Sequence, residues 1–131
     1  MPDGQIVALP GPHHSLLLGA GGICSTAGDL VTWTHALHTG KVLKPATYAA
    51  MTTPTGVAAS ENFGLGLWAR EATWGGRGVL AGGVSQSGHT AELHWYPAQS
   101  LAIALQYNAA PRVPGIVELI PRAVLGVTEP M

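Results

Sequence analysis

The clearest alternation of hydrophobic and polar positions lies in the last third of the chain. Over Thr90–Tyr96, Leu93 and Trp95 fall on one face of an extended segment, and mostly polar residues fall on the other. A polar link at 97–100 leads to Leu101–Tyr107, which is apolar at nearly every position. Two such runs joined by a short link predict a β-hairpin. The apolar second run suits a sheet that is covered on both faces.

Two segments upstream of this hairpin are assigned to the same sheet or to its turns. In Phe63–Trp68, large apolar residues alternate with glycine, which predicts a strand. Residues 79–89 are rich in glycine and serine. We interpret them as a turn that leads into the hairpin.

The strongest local signal predicts a helix over Ala27–His38. Thr26 and Asp29 have the spacing of a capping box, in which a hydroxyl and a carboxylate serve unpaired amide groups of the first turn. Gly40 stands where a left-handed C-terminal cap is needed. Apolar residues follow at helical spacing, and we expect them to be buried against the sheet: Leu30, Trp33 and Leu37.

Two further helices are predicted on either side of the sheet segments. Pro45 can occupy the first turn of a short helix that Pro54 closes. An apolar stripe over 113–120 predicts a C-terminal helix, which Pro121 should end or kink. Together, these elements predict an α+β fold with an antiparallel sheet flanked by helices. The length of 131 residues fits a single domain.

Charge and composition argue against several kinds of partner. Charged residues make up only 10% of the chain and the net charge is −1, which favours neither nucleic acid nor an anionic membrane. The apolar run Leu16–Ile23 is too short to cross a bilayer. No signal peptide is predicted, so a cytoplasmic location is expected by default.

Histidine and cysteine spacing gives no metal motif. Cys24, the one cysteine, excludes an internal disulfide, and its apolar neighbours predict a buried thiol. Four histidines were considered with this cysteine as metal ligands, namely His13, His14, His89 and His94. No two of these five residues have the spacing of a zinc motif. We therefore expect no metal and no cofactor.

Six segments, taken in chain order, resemble one protein family. They are a helix start, the end of that helix, a short second helix, a glycine-rich strand, a strand with its preceding turn, and a strand ending in asparagine. They read GGICSTAGDL at 21–30, LHTGKVL at 37–43, KP and MTTP at 44–45 and 51–54, NFGLGLW at 62–68, GHTAELHWYP at 88–97 and LAIALQYN at 101–108. The family is the serine β-lactamase-related hydrolases, which comprise class C β-lactamases, D-Ala-D-Ala carboxypeptidases of the penicillin-binding-protein type, and related esterases.

This resemblance covers residues 19–125 and implies the C-terminal part of a β-lactamase/transpeptidase-like fold. Family members use a Ser-x-x-Lys nucleophile and a Tyr-x-Asn pair to transfer acyl groups from lactams, peptides or esters. Neither motif occurs in this chain, since no serine precedes Lys41 or Lys44 by three residues. The resemblance thus implies one incomplete domain over residues 1–131, which lacks the nucleophile and is inactive alone.

Two short matches to family motifs are interpreted as coincidental. The triplet at 38–40 spells the late Lys/His-Thr/Ser-Gly motif, but it falls at the end of the predicted helix. The triplet at 60–62 spells the Ser-x-Asn of penicillin-binding proteins, but it lies in the wrong order along the chain.

The position of the late motif itself has two possible registers. In the first, the family's Lys or His falls at Ala81 or Gly82, and its glycine falls at Gly83 or Val84. In the second, the motif consists of Gln86, Ser87 and Gly88. Neither register supplies a cation or an imidazole, so none of these candidate residues is assigned a catalytic role.

Two functional hypotheses follow. The chain is either a segment of a serine hydrolase that needs a complementing N-terminal segment, or a degenerate, non-catalytic module that binds or self-associates. The N-terminal segments that complete the family's sheet are not recognisable here, which predicts an uncovered strand edge and an apolar face. We therefore expect the chain to form a homodimer or to bind the complementing segment.

Overall fold

The computed structural model describes residues 21–72, 76–84, 88–108 and 116–127. Its elements, in chain order, are α1 (Ala27–His38), α2 (Pro45–Thr52), a 3₁₀ segment (Gly56–Glu61), β1 (Trp68–Glu71), β2 (Arg77–Val84), β3 (Thr90–Tyr96), β4 (Leu101–Tyr107) and α3 (Ile116–Leu125). The four strands form one antiparallel sheet in the order β1-β2-β3-β4. This arrangement confirms the predicted α+β class.

The predicted hairpin of β3 and β4 is confirmed, with the expected bounds for both strands. Thr90 lies opposite Tyr107 and Tyr96 opposite Leu101, so the two strands pair along their full length. The link is a 3₁₀ turn over Pro97–Gln99, after which Ser100 takes a left-handed conformation with φ of 49°.

Both faces of β3 are covered. On one face, α1 packs over β3 and β4, where Trp95 is 5% exposed. On the other face, the polar side chains are buried as deeply, with Glu92 6% and His94 4% exposed. Nε2 of His94 lies 3.3 Å from Oε2 of Glu92, so the two groups offset part of each other's desolvation.

Two sheet predictions were wrong. Phe63–Trp68 is not a strand: only its two end residues form an isolated bridge, because Gly66 takes a φ of 80° and reverses the chain between them. Residues 79–84, expected in a turn, belong to β2. They pair with β3 from Val79 opposite Trp95 to Val84 opposite Thr90, and this pairing outweighs the weak strand propensity of glycine.

Helix α1 begins and ends as predicted. The amide of Asp29 donates to Oγ1 of Thr26 at 3.1 Å, and this hydroxyl donates to Oδ2 of Asp29 at 2.8 Å. The carboxylate therefore accepts from the capping hydroxyl and not from an amide. At the other end, Gly40 has a φ of 78°, and the amide of Lys41 donates to the Ala36 carbonyl at 3.0 Å.

The predicted buried stripe of α1 is only partly confirmed. Leu37 is buried and Leu30 half-buried, but Trp33 is 51% exposed. Thr34 is instead buried, at 2% exposed, with its hydroxyl donating to the Leu30 carbonyl at 2.8 Å. The face of α1 that contacts the sheet is thus shifted by about one residue from the face that hydrophobicity alone predicts.

The two other helices differ in how they are held. Helix α2 begins at Pro45 as predicted, but none of its residues is buried. Its C-terminal turn is attached through the backbone, since the amide of Leu65 donates to the Met51 carbonyl at 2.9 Å. Helix α3 continues through Pro121, contrary to an end at that position. The Pro121 ring is less than 2% exposed, and its burial offsets the lost hydrogen bond.

Candidate functional site

An apolar groove of about 350 Å³ lies between α1 and the sheet. Two of its lining side chains are partly exposed, Trp33 at 51% and Val42 at 40%. The only polar side chains of the lining are those of Thr34 and His38. The remaining lining residues come from α1, the segment between α1 and α2, α2 itself, the turn before β1, and strands β2 and β3: Leu37, Leu43, Met51, Gly66, Leu67, Val79, Ala81 and Leu93.

Strand β2 carries the first register of late-motif candidates along this groove. Ala81 lies opposite Leu93, and both residues line the groove. Gly82 lies opposite Glu92 and therefore faces the other side of the sheet. Gly83 and Val84 complete the strand. Of the second register, Gly88 is buried at the turn before β3, while Gln86 and Ser87 lie outside the described residues.

Gly82 has no room for a side chain. A Cβ built there would lie 2.5 Å from the Ala91 carbonyl oxygen and 2.9 Å from the Glu92 Cα. A Cβ at Gly83 meets nothing within 4 Å. A lysine or histidine at position 82 would therefore collide with the β3 backbone, whereas position 81 already directs its Cβ toward the groove.

This difference gives a prediction for matched substitutions. We expect Gly82→Ala to lower the free energy of unfolding by about 1–3 kcal/mol, because backbone atoms must move to admit the methyl group. Gly83→Ala, its control one residue away, should be neutral or stabilising, because alanine restricts the unfolded chain. Urea unfolding of both variants measures the difference. Equal stability of the two would contradict the close approach at Gly82.

A cluster of aromatic and imidazole rings adjoins the groove at His38, which lines it. The His38 ring stacks on Trp95, with centroids 5.7 Å apart and planes 5° from parallel, and His35 meets the same indole edge-on at 5.8 Å. Nδ1 of His38 lies 2.6 Å from the Tyr48 hydroxyl, which donates to it in the tautomer that carries its proton on Nε2. Burial lowers the pKa of His38 and raises the pKa of Tyr48.

The lowered pKa of His38 predicts a pH dependence of folding. Below the unfolded-state pKa of 6.5, the unfolded chain takes up a proton more readily than the native one. The free energy of unfolding should therefore not be reduced by His38 above pH 6.5. It should fall as the pH drops from 6.5 to the lower pKa that His38 has in the native state. Chemical unfolding of wild type and His38→Phe at pH 7.5, 6.5 and 5.5 isolates this group, since phenylalanine keeps the stack and cannot titrate. Parallel stability curves for the two proteins would contradict the prediction.

The two coincidental triplets lie where the sequence predicts. The triplet at 38–40 forms the end of α1 and its cap, and the triplet at 60–62 lies at the end of the 3₁₀ segment. The His38–Tyr48 pair was not predicted from the sequence. Its two residues lie on different helices, and the turn at 39–44 that brings them together leaves no periodic signal.

Within the described residues, no group of three His, Cys, Asp or Glu side chains could hold a metal ion. His13 and His14 lie outside those residues, and His89 is exposed. Cys24 is exposed, contrary to the predicted buried thiol, because it lies in the irregular segment before the α1 cap. No helix in the described part of the chain is long and apolar enough to cross a membrane.

Comparison with known proteins extends the resemblance beyond the six segments. The family model described as Beta-lactamase matches residues 1–126, so that it also includes the first eighteen residues. No curated protein matches the chain. The matched region contains the whole four-stranded antiparallel sheet and its helices α1 and α2, an arrangement compatible with a β-lactamase-like fold. The chain belongs to the Beta-lactamase family, and its fold is related to that of serine hydrolases.

Proposed function

We propose that this chain is the C-terminal portion of a β-lactamase-related serine hydrolase, and that it acts with a segment carrying the Ser-x-x-Lys nucleophile. The reaction is acyl transfer, in which that serine attacks the carbonyl carbon of a lactam, peptide or ester. In this proposal residues 1–131 form one incomplete domain. The chain contributes strand β2, whose backbone amides help to stabilise the oxyanion that forms during acyl transfer.

The observation that carries this proposal is the groove between α1 and β2. Its wall is apolar, and Trp33 and Val42 at its rim remain substantially exposed. An apolar groove with partly exposed side chains at its rim offers a surface on which an apolar segment of a partner can pack. Because Ala81 lines the same groove, a segment that fills it also contacts the late-motif register.

Complementation tests the proposal directly. The chain is co-expressed with the nucleophile-bearing N-terminal half of another Beta-lactamase family hydrolase, or with coding sequence from immediately upstream of residue 1. We expect the two pieces to co-purify and to hydrolyse a chromogenic cephalosporin or a nitrophenyl ester. Mass spectrometry should find the acyl adduct on the serine of the added piece.

A pair of variants makes this experiment specific to the groove. Ala81→Phe fills the groove and should abolish both co-purification and turnover, while circular dichroism shows that the chain remains folded. Val57→Phe is the control, since Val57 is 98% exposed on the 3₁₀ segment and outside the groove. Undiminished complementation by the Ala81 variant would contradict the proposed role of the groove.

A second candidate function, a non-catalytic module that self-associates, is favoured by the outer edge of β4. Within the described residues no strand pairs with this edge. Its seven residues include no charge and no proline, the features that usually block pairing between chains. A symmetric homodimer would bury one such edge from each copy.

Light scattering over a dilution series tests self-association. A homodimer should dissociate toward the 13.5 kDa monomer only at low concentration. A mass that stays at 13.5 kDa at high concentration, with no binding of a hydrophobic dye, would exclude obligate association.

A further inference from the structure

Two buried hydroxyl groups lie opposite each other where β3 begins and β4 ends. Thr90 and Tyr107 are register partners, and both side chains lie on the face of the sheet away from α1. Thr90 is 3% exposed. Oγ1 of Thr90 and Oη of Tyr107 are both enclosed, and neither has a hydrogen-bond partner among the residues that the structure describes.

Several threonine hydroxyls in the helices and at their ends donate to a backbone carbonyl four residues earlier. Thr34, which is buried equally deeply in α1, donates to the Leu30 carbonyl at 2.8 Å. A strand offers no such carbonyl, because its backbone acceptors point along the sheet toward neighbouring strands. Enclosing two hydroxyls without partners would cost stability at each, so this pair of groups needs an explanation.

The two side chains cannot satisfy each other directly. Residues opposite each other in an antiparallel pair have close Cβ atoms, but the tyrosine hydroxyl stands at the far end of its ring and the threonine hydroxyl stays next to the sheet. A water molecule can donate a hydrogen bond to one hydroxyl and accept one from the other. The nearby buried pair of Glu92 and His94 makes this part of the sheet polar, which is the condition for an enclosed water.

We propose that Thr90 and Tyr107 jointly bind one buried water molecule, which bridges the start of β3 to the end of β4. The water donates to one hydroxyl and accepts from the other. This site lies on the opposite face of the sheet from the groove, and it does not depend on the proposed hydrolase function. Its effect is to fix the end of β4 to the start of β3, which begins two residues after Gly88.

A double-mutant cycle tests the site. Thr90→Val and Tyr107→Phe remove the hydroxyls with little change of shape. Each should raise the unfolding equilibrium constant roughly tenfold, because the remaining hydroxyl and the water each lose a hydrogen bond. The double variant should cost several-fold less than the product of the two singles. Thr34→Val is the control for a buried hydroxyl with a known partner. Stability unchanged or raised in both single variants would overturn the proposal.

A direct measurement covers the case in which a variant fails to fold. In the wild-type chain, nuclear Overhauser contacts between the Thr90 methyl protons and a long-lived water should be present at every protein concentration. Their absence would overturn the proposal. Contacts or coupling that appear only at high concentration would also overturn it, because they would assign the bridging group to a second copy of the chain.

Discussion

The isolated chain should hydrolyse neither a chromogenic cephalosporin nor a nitrophenyl ester above the rate of the buffer. Hydroxyl nucleophiles need an adjacent base for activation, and no serine of this chain has a lysine three residues later. The remaining hydrogen-bond donors could only position a substrate. Stopped assays at high enzyme concentration, together with intact-mass spectra of chain incubated with each substrate, measure turnover and any acyl adduct.

Heat-denatured chain is the control for slow ester cleavage by surface histidines and lysines. Such background is linear in substrate and is unaffected by changing a single serine. Saturable turnover that disappears when one serine is replaced by alanine would show that the chain holds its own nucleophile, and would overturn the proposed dependence on a second segment.

Replacing Trp95 by alanine should cause the largest loss of stability among single core substitutions, about 3–5 kcal/mol. Trp95 is 5% exposed and carries His35 and His38 against its indole. Because a domain of this size has a total free energy of unfolding of about 5–15 kcal/mol, the variant will be close to unfolding at 37 °C. Urea titrations at 15 °C measure the loss.

Trp33→Ala is the matched control for removing an indole. Trp33 is half exposed at the rim of the groove, so its truncation should cost no more than about half as much as that of Trp95. The order of the two losses is the decisive result. A greater loss from Trp33→Ala would mean that a partner or a second copy covers the groove in solution.

The elements that could be predicted from sequence are those whose signals are local. The Thr26 cap fixes the start of α1 because a single hydroxyl serves an amide three residues away, and Gly40 ends the helix for an equally local reason. The β3–β4 hairpin was found with correct bounds, since its alternation and short link lie in one continuous stretch.

The errors arose where distant parts of the chain decide the outcome. Gly82 and Gly83 indicate a turn by composition, but β3 supplies a complete ladder of partners for β2. Trp33 fits the apolar stripe of α1, but the angle at which the helix meets the sheet buries Thr34 in its place. Pro121 does not end α3, since the helix continues through it with the ring fully enclosed.

For the site, the family resemblance offered candidate residues for the late motif but gave no indication of their surroundings. Ala81 and Gly82 both lie on β2, yet only the paired structure shows that their side chains would point to opposite faces. The groove could not be predicted at all, because its walls come from two helices, two connecting segments and two strands that are separated by up to sixty residues.

The hydrogen bond from the Leu65 amide to the Met51 carbonyl has a consequence for hydrogen exchange. Helix α2 has no buried residue of its own, and besides this backbone bond the Tyr48–His38 pair connects it to α1. Its last turn and the reversal at 64–67 should therefore open together, as one cooperative unit, well before the amides of β3 and β4. Amides at 49–53 and 64–67 should then share a single, low protection factor, and substitutions on the outer surface of α2 should leave the sheet's exchange rates unchanged.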